Sequence, residues 1–264
     1  MKNIISFSGG KDSTALIIWA KENLIDEDSE VVFCDTGWEH DLTYEYINYI
    51  NDVLLNGNLI KIKSKKYEGF KDLSIKKGRC PSVMARFCTE ELKLKPMKDY
   101  IKKYQSNVKM YVGIRADESI SRKYLLEQSY SDFYDCDIVR PLLKWSAEDC
   151  INIILRKGIK VNPLYKKGMK RVGCMPCIMI SKPELKNIVK FFPDIKDKIK
   201  NLENEVGKTF FPLKYIPDRF CSKIDKNGVI YPECNDIFDY IQSNENQLNI
   251  FDEPECLSYY GICE

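Results

Sequence analysis

Ser8-Gly9-Gly10-Lys11-Asp12-Ser13 follows the short apolar run Ile4-Ile5-Ser6-Phe7 and leads into Thr14-Ala15-Leu16-Ile17-Ile18-Trp19-Ala20. The order is strand, glycine turn, helix start. Two glycines let the backbone turn tightly and approach an anion with no Cβ in the way. The first amides of a helix have no partner inside it, and with the helix dipole they favour negative charge. Ser8 and Ser13 add hydroxyls, and Lys11 adds a point charge. Such a loop is suited to a phosphate or a pyrophosphate. Its spacing is neither G-x-x-x-x-G-K-[ST] nor G-x-G-x-x-G.

The pattern on either side fits a layered α/β chain. Glu30-Val-Val-Phe-Cys34 is a second buried strand, ending at Asp35-Thr36-Gly37. Leu42, Tyr46, Ile47, Ile50 and Leu54 recur at helical spacing across 41–55. Leu59–Ile62 and Lys109–Ile114 are further strands, with a helix over 91–104 between them. The alternation predicts an α/β fold with a doubly wound, mostly parallel sheet. Ligands of such sheets bind beyond the carboxyl ends of the strands. The segments 8–13, 35–37 and 115–122 all fall there. Further on, Ser146 with Asp149 marks a capped helix start. A basic loop covers 160–173, two helices lie near 183–206, and the last fifty residues are poor in pattern. The expected divisions are a nucleotide-binding domain over 1–145, a helical part over 146–210 and a cysteine-containing acidic tail over 211–264.

The chain has 264 residues, 44% hydrophobic and 30% charged, enough for a real core. No apolar run approaches the roughly 18 residues that span a bilayer, and the N-terminus reads straight into a strand. A cytoplasmic protein without membrane contact is the expectation. The net charge of +2 is unevenly spread. No Asp or Glu occurs between Cys150 and Pro183, a stretch rich in Lys and Arg, and no Lys or Arg follows Lys226. Either this is ordinary surface polarity or it is a basic face for a polyanion beside an acidic tail.

Further motifs accompany the glycine loop. They are Asp35-Thr-Gly-Trp-Glu-His40, Arg86-Phe-Cys-Thr-Glu-Glu-Leu-Lys93, Gly113-Ile-Arg115-Ala-Asp117-Glu118-Ser119 with Arg122, Asn162-Pro-Leu-Tyr165, and Gly173-Cys174-Met-Pro-Cys177. The loop resembles the SGGxDS signature of the PP-loop superfamily, whose members bind ATP and cleave between its α- and β-phosphates. The ordered series, over roughly residues 1–180, resembles the phosphoadenosine phosphosulfate (PAPS) reductase family of that superfamily. The tail resembles the ending of some phage-encoded members. The resemblance implies an adenine-nucleotide site made by Ser8, Gly9, Gly10, Lys11, Asp12 and Ser13 with Asp35, Thr36, Gly113 and Arg115, Asp35 lying near the ribose or adenine. It implies Lys11, Asp12, Arg115 and Arg122 as the catalytic set. Arginine forks bind oxyanions in a bidentate way, and Glu118 is placed to orient either arginine.

Eleven cysteines accompany a single histidine. In a reducing compartment they do not stand as disulfides. Cys34, Cys136 and Cys150 have apolar neighbours and are expected in the core. Cys174-Met-Pro-Cys177 is able to chelate a metal or a cluster corner, or to act as a redox dithiol. In iron–sulfur members of the family, cysteines at the position of Cys88 and in the C-x-x-C pair hold a [4Fe–4S] cluster. Those members have two adjacent cysteines near Cys88; here Phe87 precedes it, so Cys80 is the candidate fourth ligand. The expectation is a cluster on Cys80, Cys88, Cys174 and Cys177, with zinc as the alternative and free thiols as the third possibility. Cys221, Cys234, Cys256 and Cys263 match no standard zinc spacing. They form either a Cys₄ staple, or, for Cys263, the nucleophile that cluster-free reductases carry near their C-terminus.

Two reactions compete. The complete loop favours cleavage of ATP to AMP and pyrophosphate with Mg²⁺, adenylating an acceptor for sulfur transfer. The basic stretch from Arg156 to Arg171 suggests a nucleic-acid acceptor. The alternative is a PAPS or adenylyl-sulfate reductase that releases sulfite. A nucleotide-sensing subunit without turnover is the third reading. A sulfur donor or thiol reductant protein is an expected partner, and a homo-oligomer the expected assembly.

Overall fold

The computed structural model describes residues 1–24, 28–105 and 107–243. In chain order its elements are β1 (Lys2–Phe7), α1 (Lys11–Asn23), β2 (Ser29–Cys34), α2 (Asp41–Leu55), β3 (Ile60–Ile62), α3 (Phe70–Lys77) and α4 (Phe87–Thr89). A π-helical turn, Glu90–Leu94, runs into α5 (Lys95–Ile101), then β4 (Val108–Tyr111), α6 (Ile120–Lys123), β5 (Gln128–Ser131), β6 (Cys136–Val139) and α7 (Ala147–Arg156). After a 3₁₀ turn, Pro163–Lys167, come α8 (Lys182–Phe191), α9 (Asp194–Val206), β7 (Lys223–Ile224), β8 (Ile230–Tyr231) and α10 (Cys234–Ser243).

Six strands form one sheet in the order β3-β2-β1-β4-β6-β5. All neighbours run parallel except β5, which pairs antiparallel with β6 at the edge. Alternate side chains of a strand point to opposite faces, and β1 shows why both faces are covered. Ile5 and Phe7 join a core with α1, α2 and α7, while Ile4 joins one with Met97, Val112 and Ile138 on the other face. The strand order reverses at β1, which has β2 on one side and β4 on the other. That reversal opens a crevice at the carboxyl ends of β1 and β4, where doubly wound sheets take their ligands.

Helix α1 is buried on nearly every side, from Lys11 to Ile18, because α7 packs over it. α7 begins at the expected cap: Ser146 Oγ accepts from the Asp149 amide at 3.1 Å, and Asp149 accepts from the Ser146 amide at 2.8 Å. The C-terminal part has its own core, gathering Trp38, Phe70, Leu73, Cys80, Met175 and residues of α8, α9 and α10. The final stretch is better patterned than its sequence suggested. Ile237, Phe238 and Ile241 are buried at helical spacing on α10. Asn227-Gly228 turns the β7–β8 hairpin, with Gly228 at φ +80°. The tail beyond 243, with Cys256 and Cys263, lies outside the described residues. Among the described residues no helix is long and apolar enough to cross a membrane.

Candidate nucleotide and thiol site

The loop after β1 is built as an anion cradle. Gly9 holds φ +82°, and a Cβ there would stand 3.0 Å from Thr43 and 3.1 Å from Ile47. Gly10 caps α1 in extended backbone with no side-chain cap bond, leaving the helix start to other partners. The two serines brace the loop: the hydroxyls of Ser8 and Ser13 are 3.1 Å apart, and the Ser8 amide donates to Ser13 Oγ at 3.2 Å. Gly113 lies at the end of β4, and a Cβ there would meet the Asp12 carbonyl oxygen at 3.0 Å and the Ser13 nitrogen at 3.2 Å. The loop and the end of β4 thus touch backbone to backbone.

Three of the four expected catalytic residues form one buried ion network. Asp12 is fully buried, with Lys11 Nζ at 2.8 Å and Arg115 Nε at 2.5 Å. Arg115 also reaches Asp117 at 2.6 Å. Arg122, 1% exposed, pairs with Glu118, whose carboxylate accepts the Arg115 amide at 2.9 Å. Glu118 therefore holds the Arg122 guanidinium and fixes the Arg115 backbone. Asp12 is the carboxylate that holds two cations, Lys11 and Arg115.

Asn162 and Tyr165 also touch the loop, and sequence reasoning singled them out only as part of a motif. Asn162 is wholly buried; its amide donates to the Gly9 carbonyl at 3.1 Å and its oxygen accepts from Leu164. The Tyr165 hydroxyl accepts from the Lys11 amide at 2.9 Å, and Lys11 Nζ stands 5.3 Å from the centre of its ring.

At the end of β2, Asp35 accepts from the Gly37 amide at 2.9 Å, Tyr44 at 2.7 Å and Lys63 at 3.0 Å. Burial pushes its carboxyl upward, but these donors outweigh it and hold the pKa below the usual range. Thr36 turns the other way. Its hydroxyl donates to Glu39 at 2.6 Å and lies 3.4 Å from Cys174 Sγ. Glu39, 5% exposed, also accepts from Tyr44 and the Trp38 amide. The C-x-x-C turn is docked on this segment through Met175 N to Trp38 O at 2.8 Å and Trp38 Nε1 to Pro176 O at 3.0 Å.

Cys88, Cys174 and Cys177 line one pocket, together with Thr36, Lys93 and Arg171. Burial, with Glu39 beside it and against Lys93, pushes the Cys174 thiol up to about 12. Cys80 does not join them. It sits in the C-terminal core, 8% exposed, and burial with Glu203 nearby pushes its thiol up to about 12. The expected fourth ligand does not line the pocket, although Cys88 and Cys174 pack against the same core. Cys221 and Cys234 also belong to that core, so the described half of the suggested staple lies apart from the pocket.

Among the described residues no three His, Cys, Asp or Glu side chains converge as ligands of one ion. One zinc draws its thiolates to about 2.3 Å, hence to within about 4 Å of each other. A cluster binds each thiolate on a different iron, so its ligands stand further apart. Three soft donors around one pocket are a set that suits either group.

A second, smaller cavity of about 10 Å³ lies at the carboxyl ends of β1 and β2, lined by Ser6, Ser8, Cys34, Glu39, Lys93 and Gly173. Lys93 and Gly173 line both cavities. Glu39, which lines the small cavity, also lies 3.7 Å from Cys174 Sγ, so the two cavities adjoin through Lys93, Gly173 and Glu39. Lys93 reaches both cavities from the π-helical turn, where Glu91 to Leu94 are all buried. Such turns are frequent at functional sites.

The chain belongs to the phosphoadenosine phosphosulfate reductase domain family, which matches residues 2–180. Its fold and loop place it in the PP-loop superfamily, whose members include enzymes and bind adenine nucleotides. It is 34% identical to an uncharacterized 37.8 kDa protein of Escherichia phage 186, with 99% of this chain and 96% of that protein covered. An uncharacterized protein of Methanocaldococcus jannaschii is 30% identical over 81% of this chain, which spans only 52% of that relative. Among solved structures, the PAPS reductase of Candida auris in a phosphate complex matches with a TM-score of 0.51 at 16% identity. It covers 65% of this chain and 80% of that one. That likeness is one of fold.

Proposed function

We propose that this protein binds ATP at the loop 8–13 and cleaves it to AMP and pyrophosphate, adenylating an acceptor for sulfur transfer. The observation that carries the reading is adjacency: Lys93 and Gly173 line both the small cavity at the ends of β1 and β2, which Ser8 of the loop also lines, and the pocket of three thiols. Mg²⁺ enters with ATP as part of the substrate. The loop amides and Lys11 hold the phosphates, and Arg115, released in part from Asp12, steadies charge on the α-phosphate. Preorganised donors of this kind are usually the largest catalytic contribution. Cys88, Cys174 and Cys177 would hold a [4Fe–4S] cluster. A cluster bound there supplies sulfur- or electron-carrying chemistry next to the activated phosphate.

A polyanionic acceptor, most simply a nucleic acid, is supported by the rim of the site. Lys166, Lys167 and Lys170 are exposed on the turn that carries Tyr165, and Arg171 faces the thiol pocket.

The test is product analysis on anaerobically purified protein. Pyrophosphate release from ATP, lowered about 10²- to 10³-fold or more by Lys11→Ala, supports the proposal. Unchanged release in that variant overturns the loop assignment, and sulfite from a sulfonucleotide with a thiol identifies a reductase instead. Iron and sulfide should fall in Cys88→Ser, Cys174→Ser and Cys177→Ser but persist in Cys80→Ser. Stoichiometric zinc without iron would overturn the cluster.

A further inference from the structure

The Tyr165 hydroxyl occupies the place in the loop where an anion belongs. Gly10 supplies no side-chain cap, so the Lys11 amide, the first of α1, takes its partner from outside the helix. That partner is the Tyr165 oxygen at 2.9 Å. The contact is built, not incidental. Asn162 is anchored on the Gly9 carbonyl and on Leu164, Pro163 opens the 3₁₀ turn, and the turn delivers Tyr165 two residues later. The ring also stands over the Lys11 ammonium, which leans on Asp12.

We propose that Tyr165 is an exchangeable cap: its hydroxyl satisfies the Lys11 amide in the ligand-free protein and competes with the phosphate oxygen that replaces it. The proposal rests on the loop being the phosphate site. Tyr165 is a positioning residue in this scheme. It keeps a helix start that is otherwise uncapped from standing open, and it sets the affinity at which an anion displaces it. The turn carrying it also bears the exposed Lys166 and Lys167, so displacement of the ring moves the basic rim as well.

Tyr165→Phe keeps the ring over Lys11 and removes only the oxygen. Two measurements decide. In the ligand-free proteins, hydrogen exchange of the Lys11 amide should be faster in Tyr165→Phe than in the wild type. In calorimetric titrations with ATP and with inorganic pyrophosphate, the variant should bind about two- to tenfold more tightly, the worth of one ordinary hydrogen bond. Equal exchange shows that the hydroxyl does not hold the amide and overturns the cap. Unchanged or weaker binding by Tyr165→Phe, with the wild type binding, overturns the competition while leaving the loop assignment intact. No binding by either protein overturns both.

Discussion

Gly113 shows how much one missing side chain decides. Its Cα faces the backbone of Asp12 and Ser13, so any Cβ collides with atoms that have no rotamer to escape into. Gly113→Ala should cost about 1–3 kcal/mol in urea denaturation and weaken ATP binding, because the loop must shift off β4. Wild-type stability and affinity in that variant would contradict the close approach. At this scale the sequence was informative where a residue's role is local. The glycines, the serines and the capping pair Ser146–Asp149 were readable, and so were Cys34, Cys136 and Cys150 as core residues. What Asp12 does was not. Its two cations come from its chain neighbour and from beyond β4, and only the sheet order brings the second to it. Cys80 illustrates the converse: near Cys88 in sequence and in the core that Cys88 packs against, it does not line the thiol pocket.

At the scale of elements, Glu203 joins α9 to α10 and to the turn between them. Its carboxylate accepts from the Phe210 amide at 2.8 Å, the Thr209 hydroxyl at 3.2 Å and the Cys234 amide at 2.9 Å, so it fastens the start of α10. Burial raises its pKa, and the donors counter that only in part. Glu203→Gln would aim an amide NH₂ at backbone N–H groups. It should lower stability by about 1–3 kcal/mol. Circular dichroism melts check this, and an unchanged midpoint would refute the role. Elements with strong periodicity, such as α2 and β1, were legible in the sequence. β5 and β6 were missed because each is four residues long, and the exposed positions of β5 lie at the sheet edge. α10 carried a readable apolar spacing, obscured by the Asn, Pro and Cys around it.

Across the whole molecule, charge ties both ends of β2. Glu30 at its start accepts from Tyr100 at 2.5 Å and Tyr104 at 2.7 Å and pairs with Lys2; Asp35 just past its end holds Tyr44 and Lys63. Burial raises each carboxyl, and the surrounding donors more than reverse it, so both pKa values are lowered. Groups lowered on folding stabilise fully above their unfolded pKa, near 4, and lose that contribution as pH falls through the folded value. The melting temperature should therefore fall below about pH 4, and less steeply in Asp35→Asn; an identical acid slope in the variant would count against this. The sequence by itself determined the strand–loop–helix turn, the mostly parallel sheet and the family, because these depend on residues close together in the chain. Only the tertiary structure decided that Cys88 and the C-x-x-C turn share a pocket, that Lys93 and Gly173 also line the small cavity at the ends of β1 and β2, and that the Tyr165 hydroxyl meets the Lys11 amide. Those contacts join segments far apart in the chain, and packing of the C-terminal core against the ends of the strands alone brings them together.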